Sequence, residues 1–281
     1  MNKLSTAKRV AVVAALVEGN SIRATARMAN VSKPTILKLL VSLGNVCTQF
    51  QDATIRNLRS KRIECDEIWQ FCYAKQKNVP EEKRGTFGYG DVWTWTALDA
   101  DSKLIVSWLV GGRDAGSAFT FMNDVASRIS TRVQLTTDGH KVYVNAVEDA
   151  FGADVDYAML TKVYGTAQEN ETRYSPAKIL SSNTEVIKGN PNPKYISTSF
   201  VERQNLTMRM SIRRFTRLTN AFSKKVENHA AAVALHFMYY NFCRVHQTLR
   251  VTPAMEAGIS HRVWNLSDIV GLLDAAEKKA A

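Results

Sequence analysis

The sequence lacks any Cys-x-x-Cys pair, and its four cysteines, Cys47, Cys65, Cys72 and Cys243, stand far apart. No Cys/His cluster has zinc-finger spacing, so neither a structural zinc nor a disulfide scaffold is expected. Isolated thiols of this kind read as small buried hydrophobes. Long apolar runs are also missing, and none approaches the roughly 20 residues that cross a bilayer. The N-terminus has neither the apolar core nor the cleavage site of a secretory signal, because Lys8 and Arg9 interrupt its Ala/Val-rich stretch. The expectation is a soluble, cytoplasmic protein with no membrane association.

Acidic residues are in deficit, 26 against 37 lysines and arginines, for a formal charge of +11. What is present is otherwise ordinary: 281 residues, 45% hydrophobic and 22% charged, enough for one large domain or two modest ones. The distribution of charge says more than its total. Residues 1–62 carry a net +9 and residues 198–225 a net +6, whereas 63–197 carry −4 and 226–281 balance. Two basic blocks around a carboxylate-bearing middle fit a nucleic-acid enzyme better than a merely solvated basic face, because phosphate binding needs clustered cations.

Residues 5–43 read as three helices. The first runs from Thr6 to Val17 and stops at Gly19-Asn20. Ser21 caps a second, Ile22 to Met28, and Asn30 suits the left-handed residue of a tight turn. Ser32 caps a third, with Pro34 in its first turn. Ala26, Val31, Ile36 and Leu39 fall where a helix-turn-helix needs a small crossing residue and an apolar underside. The third helix then exposes Lys33, Thr35, Lys38 and Ser42 to phosphates or base edges. A plain three-helix bundle used for dimerisation is the other reading of the same pattern. Residues 46–62 are a polar, basic linker or connecting helix.

From residue 63 the period changes. Strands are predicted over 63–71, 91–98, 103–110, 132–137 and 154–163, with helices over 114–129 and 140–151. A loop from Lys75 to Gly90 follows the first strand, and a helix begins near Phe200. The first three strands form an antiparallel meander. The order β-β-β-α-β-α-β-α is that of a ribonuclease H-like mixed sheet. In such a sheet Asp66 on the first strand, Asp138 at the end of the fourth and Glu202 at the start of the late helix converge on one edge. Two divalent metals need several convergent carboxylates, because hard cations take oxygen ligands.

The chain resembles the DDE transposases of bacterial insertion sequences, within the retroviral-integrase-like superfamily, and looks closest to the founding insertion-sequence family. Three segments carry the resemblance: Cys65-Asp66-Glu67-Ile68-Trp69, Thr137-Asp138-Gly139-His140-Lys141-Val142-Tyr143, and Ser199-Phe200-Val201-Glu202-Arg203-Gln204-Asn205-Leu206. A further stretch, 239–246, precedes Thr252-Pro253. The likeness spans most of residues 1–258. Two features depart from it. Asp138 and Glu202 stand 64 positions apart, which fits an insertion across about 164–197, and the cysteine zinc motif of the founding relatives is missing.

The resemblance implies a helix-turn-helix domain (1–45), a linker (46–62), a ribonuclease H-like catalytic domain (63–258) and a helical tail (259–281). It implies Asp66, Asp138 and Glu202 as catalytic residues and ligands of two Mg²⁺ ions, with Mn²⁺ tolerated. Lys33, Thr35, Lys38, Ser42, Arg203, Arg209, Arg213, Arg214 and Arg217 become candidate DNA contacts, with His140 and His246 as supports of the active site. The partners are double-stranded DNA, as element ends and as target, and further copies of the chain in a DNA-bound oligomer. The setting is a bacterial cytoplasm, at the nucleoid when DNA is bound. Two alternatives stay open: a transposase-derived repressor without catalysis, and another ribonuclease H-like nuclease.

Each carboxylate also has a plainer reading. Glu67 rivals Asp66, although strand neighbours face opposite sides, and it would suit a surface cation. Asp138-Gly139 is a turn signal. Ser199 and Glu202 have capping-box spacing, which needs no catalysis. Against that, Arg209 and Arg213 fall within about 20° of Glu202 on a helix of 3.6 residues per turn, which suits phosphates held against metals. Trp93, Trp95 and Trp108 are expected in the core, and a helix over 266–276 is expected to serve packing or oligomerisation.

Overall fold

The computed structural model describes residues 3–165, 179–216 and 220–279. Three helices come first: α1 (Thr6–Val17), α2 (Ile22–Ala29) and α3 (Lys33–Thr54). The Ser5, Ser21 and Ser32 side chains each accept a backbone N–H in the first turn. Asn30 adopts the left-handed conformation between α2 and α3, at φ 50°. The third helix runs on to Thr54, so the front of the 46–62 stretch is helix rather than free linker.

An α/β unit follows, built from β1 (Arg62–Cys72), β2 (Gly90–Asp99), β3 (Ile105–Gly111), α4 (Ala115–Arg128), β4 (Val133–Asp138), α5 (Val142–Phe151), β5 (Val155–Tyr164) and β6 (Ile179–Lys188). Helices α6 (Ser199–Ser211), α7 (Val226–Phe242), α8 (Pro253–Glu256) and α9 (Leu266–Lys279) complete the chain. The six strands form one mixed sheet in the order β3-β2-β1-β4-β5-β6. β1 lies antiparallel to β2 and parallel to β4, which is parallel to β5. The 63–71 and 91–98 readings match strands one or two residues longer. β6 was not anticipated: residues 179–188 of the 164–197 insertion form an added edge strand, antiparallel to β5. Its residues are largely exposed and polar, which explains why no half-buried alternation announced it.

Strand alternation assigns the two faces of the sheet. Trp95 packs on Phe121 of α4 and Tyr143 of α5, so α4 and α5 cover the face that carries Glu67, the register partner of Trp95. Trp108 packs on Phe237 of α7, which places α7 on the opposite face, with Thr96 and its partner Asp66. Trp95 is fully buried, whereas Trp93 and Trp108 are only half-buried. They sit on strands whose covering helices leave part of each ring open.

α7 is apolar almost all round because it is covered all round. The sheet lies on one side and α3 on the other, where a Cβ on Gly44 would come within 2.5 Å of Ala231. Asn241 ties the layers together. Its amide exchanges hydrogen bonds with the Ile105 backbone (3.0 Å each) and donates to Gln51 of α3 at 3.3 Å. The predicted terminal helix is α9. It packs on α1 and α3, and Asp274 and Glu277 hold the buried Arg9 guanidinium at 2.7 and 3.1 Å.

Candidate active site

β1 and β4 run side by side as far as Cys65 and Thr137, and β4 ends one residue later. Asp66 and Asp138 therefore stand together where two parallel strands part. β1 continues past that point, so the end of β4 lies open to both of its faces. That geometry explains why Asp66 and Glu67, on opposite faces, both meet Asp138. One carboxylate oxygen from each of Asp66, Glu67 and Asp138 lies within 4.8 Å of the others.

The three groups are held differently. Asp66 is half-buried; its Oδ1 accepts its neighbour's Glu67 N–H (2.8 Å) and its Oδ2 accepts the Asn205 side-chain amide of α6 (2.8 Å). Burial, and then the charges of Asp138 and Glu67, push its carboxyl up to about 8. Burial and Asp138 likewise push Glu67 up to about 7. Glu67 does meet a surface cation, as strand alternation suggested: Arg113 Nε lies 3.4 Å from its Oε2, and the guanidinium also reaches Asp138 at 3.9 Å. Arg113 is steadied over the Trp93 ring at 4.6 Å. Glu67 also faces the buried Tyr143 hydroxyl, whose hydrogen bond works against the rise in its pKa. Three mutually repelling carboxyls with oxygens within 4.8 Å of one another are a donor set that suits a hard divalent cation.

Glu202 sits in the first turn of α6, three residues before Asn205. Its Oε1 accepts the Thr198 hydroxyl at 2.7 Å and also contacts the Lys162 ammonium of β5. It is not one of the compact trio, although its charge is felt at Asp66. The Ser199 capping box does not form. The helix begins at Ser199, and a carboxylate from the sheet caps it instead: Glu64 Oε2 accepts the N–H groups of Phe200 and Val201 at 2.8 and 3.0 Å. Glu64, two residues before Asp66, shares its face. Burial pushes the Glu64 carboxyl up to about 7 against the lowering effect of those two donors.

The supporting histidines part company. His140 donates its backbone N–H to Asp138 Oδ1 at 3.0 Å, and its ring packs between Trp95 and Tyr143. Burial, then the nearby Arg113, lowers its pKa. His246 lies in a groove with Lys103, Phe200 and Arg203, outside the carboxylate trio.

Among the arginines assigned to DNA, Arg203 is exposed, and Arg209 and Arg213 are half-buried. α6 ends at Ser211, so Arg213 lies past the helix, in a short 3-10 turn, and does not extend the Glu202 stripe. Arg214 must be withdrawn as a DNA contact. It is 9% exposed, and its Nε donates to Ser223 at 2.7 Å. Burial lowers its pKa to about 10. The aromatic and apolar surroundings of that 3-10 turn, Phe215 included, take the side chain inward. Arg217 lies outside the described residues. On α3, Lys33, Lys38 and Ser42 are exposed, whereas Thr35 is half-buried with its hydroxyl 2.8 Å from Ser32 Oγ.

Sequence reasoning missed Glu64, Arg113, Lys162 and Asn205. Only Asn205 had a local signal, three residues past Glu202 on a predicted helix. The other three act through packing that no spacing reveals.

No protein-family profile and no curated protein matches the chain. Among solved structures, a piggyBac transposase synaptic complex with hairpin DNA aligns at 12% identity, with 98% of this chain, 72% of that chain and a TM-score of 0.41. A Mos1 transposase paired-end complex with the left transposon end aligns at 10% identity, covering 56% of this chain and 59% of that one, TM-score 0.25. The Mos1 strand transfer complex aligns at 11% identity, 84% and 78% coverage and TM-score 0.25. Likenesses this distant carry no functional argument, which rests instead on the geometry of the sheet and its carboxylates.

Proposed function

We propose that the chain is a DDE-type DNA transposase of the bacterial insertion-sequence kind. It binds the terminal inverted repeats of its own element and catalyses metal-dependent cleavage and strand transfer. The observation that carries this reading is the meeting of Asp66 and Asp138 at the parting of two parallel strands, with a third carboxylate within 4.8 Å.

In this reading Asp66, Asp138 and Glu202 hold the metals, and Glu67 adds an oxygen from the opposite face of β1. Two divalent cations bound there, Mg²⁺ or in its place Mn²⁺, would supply Lewis acidity for a phosphoryl transfer. The protein's own groups position the carboxylates. Asn205 and the Glu67 N–H fix Asp66, and the His140 N–H fixes Asp138. Arg113 offsets part of the negative charge. Lys162 holds Glu202 in the absence of substrate. No covalent protein–DNA intermediate is needed.

The N-terminal helices, with Lys33 and Lys38 exposed, supply end recognition through the α2–α3 turn, and Arg203 contributes phosphate contacts. Two ends must be joined, so the working form is a homo-oligomer on DNA in the bacterial cytoplasm.

The test is joining of pre-cut duplexes carrying the gene's flanking ends to a supercoiled plasmid, with Mg²⁺ or Mn²⁺. Joined products that require those ends support the reading. Specific binding without joining or cutting would favour a transposase-derived repressor. Cutting that follows DNA branching rather than end sequence would favour another ribonuclease H-like nuclease.

A further inference from the structure

A second basic concavity, of about 360 Å³, lies along α6 away from the carboxylates. Its walls include Lys103 from the turn before β3, Phe200, Arg203 and Gln204 from α6, and Arg244 and His246 from the segment after α7. At about 100° per residue, Arg203 stands roughly 100° and Gln204 roughly 200° around the helix from Glu202. The two sites therefore use different faces of one helix.

The chemistry of the walls has one sign. Among the described residues no carboxylate lines the concavity, and Glu64, Asp99 and Asp101 act on Lys103 only from beyond its walls. Glu64 is itself engaged by the Phe200 and Val201 N–H groups. Gln204 is 2% exposed, yet its Nε2 has no hydrogen-bond acceptor among the described residues. A buried amide donor without a partner is costly, and a ligand oxygen would satisfy it. Arg203 and Arg244, both exposed, and Lys103 line the same concavity. Lysine, arginine and the glutamine amide nitrogen only donate, so the complementary ligand is an anion with several acceptor oxygens.

The space exceeds what one phosphate fills. Phe200 is 38% exposed beside it, with the Lys103 ammonium 3.1 Å from its ring centroid. A partly exposed ring with a cation on one face can stack a base while the cation meets its phosphate. We infer that this concavity is a phosphate-binding site that takes a backbone phosphodiester of the DNA, at a second point on α6 distinct from the carboxylate cluster. The assignment to DNA rests on the transposase reading; the assignment to phosphate does not.

Two measurements on the full-length protein separate these claims. In the first, inorganic phosphate is titrated against thermal unfolding at constant ionic strength, for wild type, Arg244→Ala and Gln204→Leu. Phosphate should raise the melting temperature of the wild type and have little effect on either variant. Arg244 is exposed, so its variant folds, and Gln204→Leu removes an unpartnered donor and should unfold no earlier than wild type without phosphate. An equal phosphate response in all three proteins overturns the site.

In the second, the affinity for a short random-sequence duplex is measured against salt. Loss of one phosphate contact in Arg244→Ala should lower the slope of log K on log [salt] by about 0.9. A lost phosphate response with an unchanged slope overturns the assignment to DNA and leaves a site for another phosphate compound. A wild type that binds no duplex overturns the transposase reading, while the thermal titration still decides the phosphate site.

Discussion

Glu64 and Val201 are joined by a 3.0 Å hydrogen bond from the Val201 N–H to the Glu64 carboxylate, and Phe200 donates to the same oxygen at 2.8 Å. The strand that carries Asp66 thus also caps α6, the helix that carries Glu202 and Asn205. One rigid element sets the relative position of both halves of the site. A carboxylate at a helix N-terminus satisfies two orphan donors and faces the positive end of the helix dipole.

Glu64→Ala should therefore lower stability in urea by about 1–2 kcal/mol, the cost of losing a helix cap, and Glu64→Gln by less, since an amide oxygen in that place still accepts both N–H groups. Metal-dependent activity should fall in the alanine variant along with the lost register of α6. Unchanged stability in Glu64→Ala would mean that the cap does not hold the helix.

The carboxyls make metal binding depend on pH. Asp66 is pushed up to about 8 and Glu67 to about 7, mainly by burial, against ordinary values near 3.9 and 4.3. Without metal, the folded protein keeps protons that the unfolded chain has lost between roughly pH 4 and 8. Stability from these groups is therefore fully present below about pH 4 and lost as pH rises through 7 to 8. Cations bind the deprotonated form, so Mn²⁺ affinity should climb from pH 6 to pH 8 and release protons. Calorimetry in two buffers of different ionisation enthalpy reads this directly. An affinity flat across that range would remove Asp66 from the ligand set.

The N-terminal reading is tested by Lys38→Ala. Lys38 is exposed on α3, so the substitution should leave folding intact while weakening binding to the element's ends, with a salt slope lower by about 0.9. An unchanged end affinity would instead favour helices used for packing or dimerisation, since α1 and α3 already contact α9.

Much of this architecture was legible in the chain because its signals are local. Ser21, Ser32 and Asn30 mark helix ends by side-chain and backbone preferences that act within a few residues, and Asp66 and Asp138 sit on strands readable from β-branched and aromatic runs. What was hidden depends on packing across long separations. The Glu64 cap needs α6 to dock on β1, 136 positions away. Arg113 and Lys162 became site residues through the sheet's layout, and Arg214 turned inward to Ser223 although its sequence neighbourhood reads as a basic surface. Glu67 joined Asp66 because β4 stops at Asp138, a boundary that strand alternation cannot foresee.

DNA cleavage by the carboxylates where β1 and β4 part is the activity on which the transposase reading stands. It is tested most directly by strand nicking of duplex DNA carrying the gene's own flanking ends, in Mg²⁺ or Mn²⁺, for wild type and Asp138→Asn. The wild type should give metal-dependent cleavage that leaves 3′-hydroxyl ends, and the variant no cleavage with nearly unchanged end binding. Equal cleavage by both proteins, or specific binding by the wild type without any cutting, would contradict that reading.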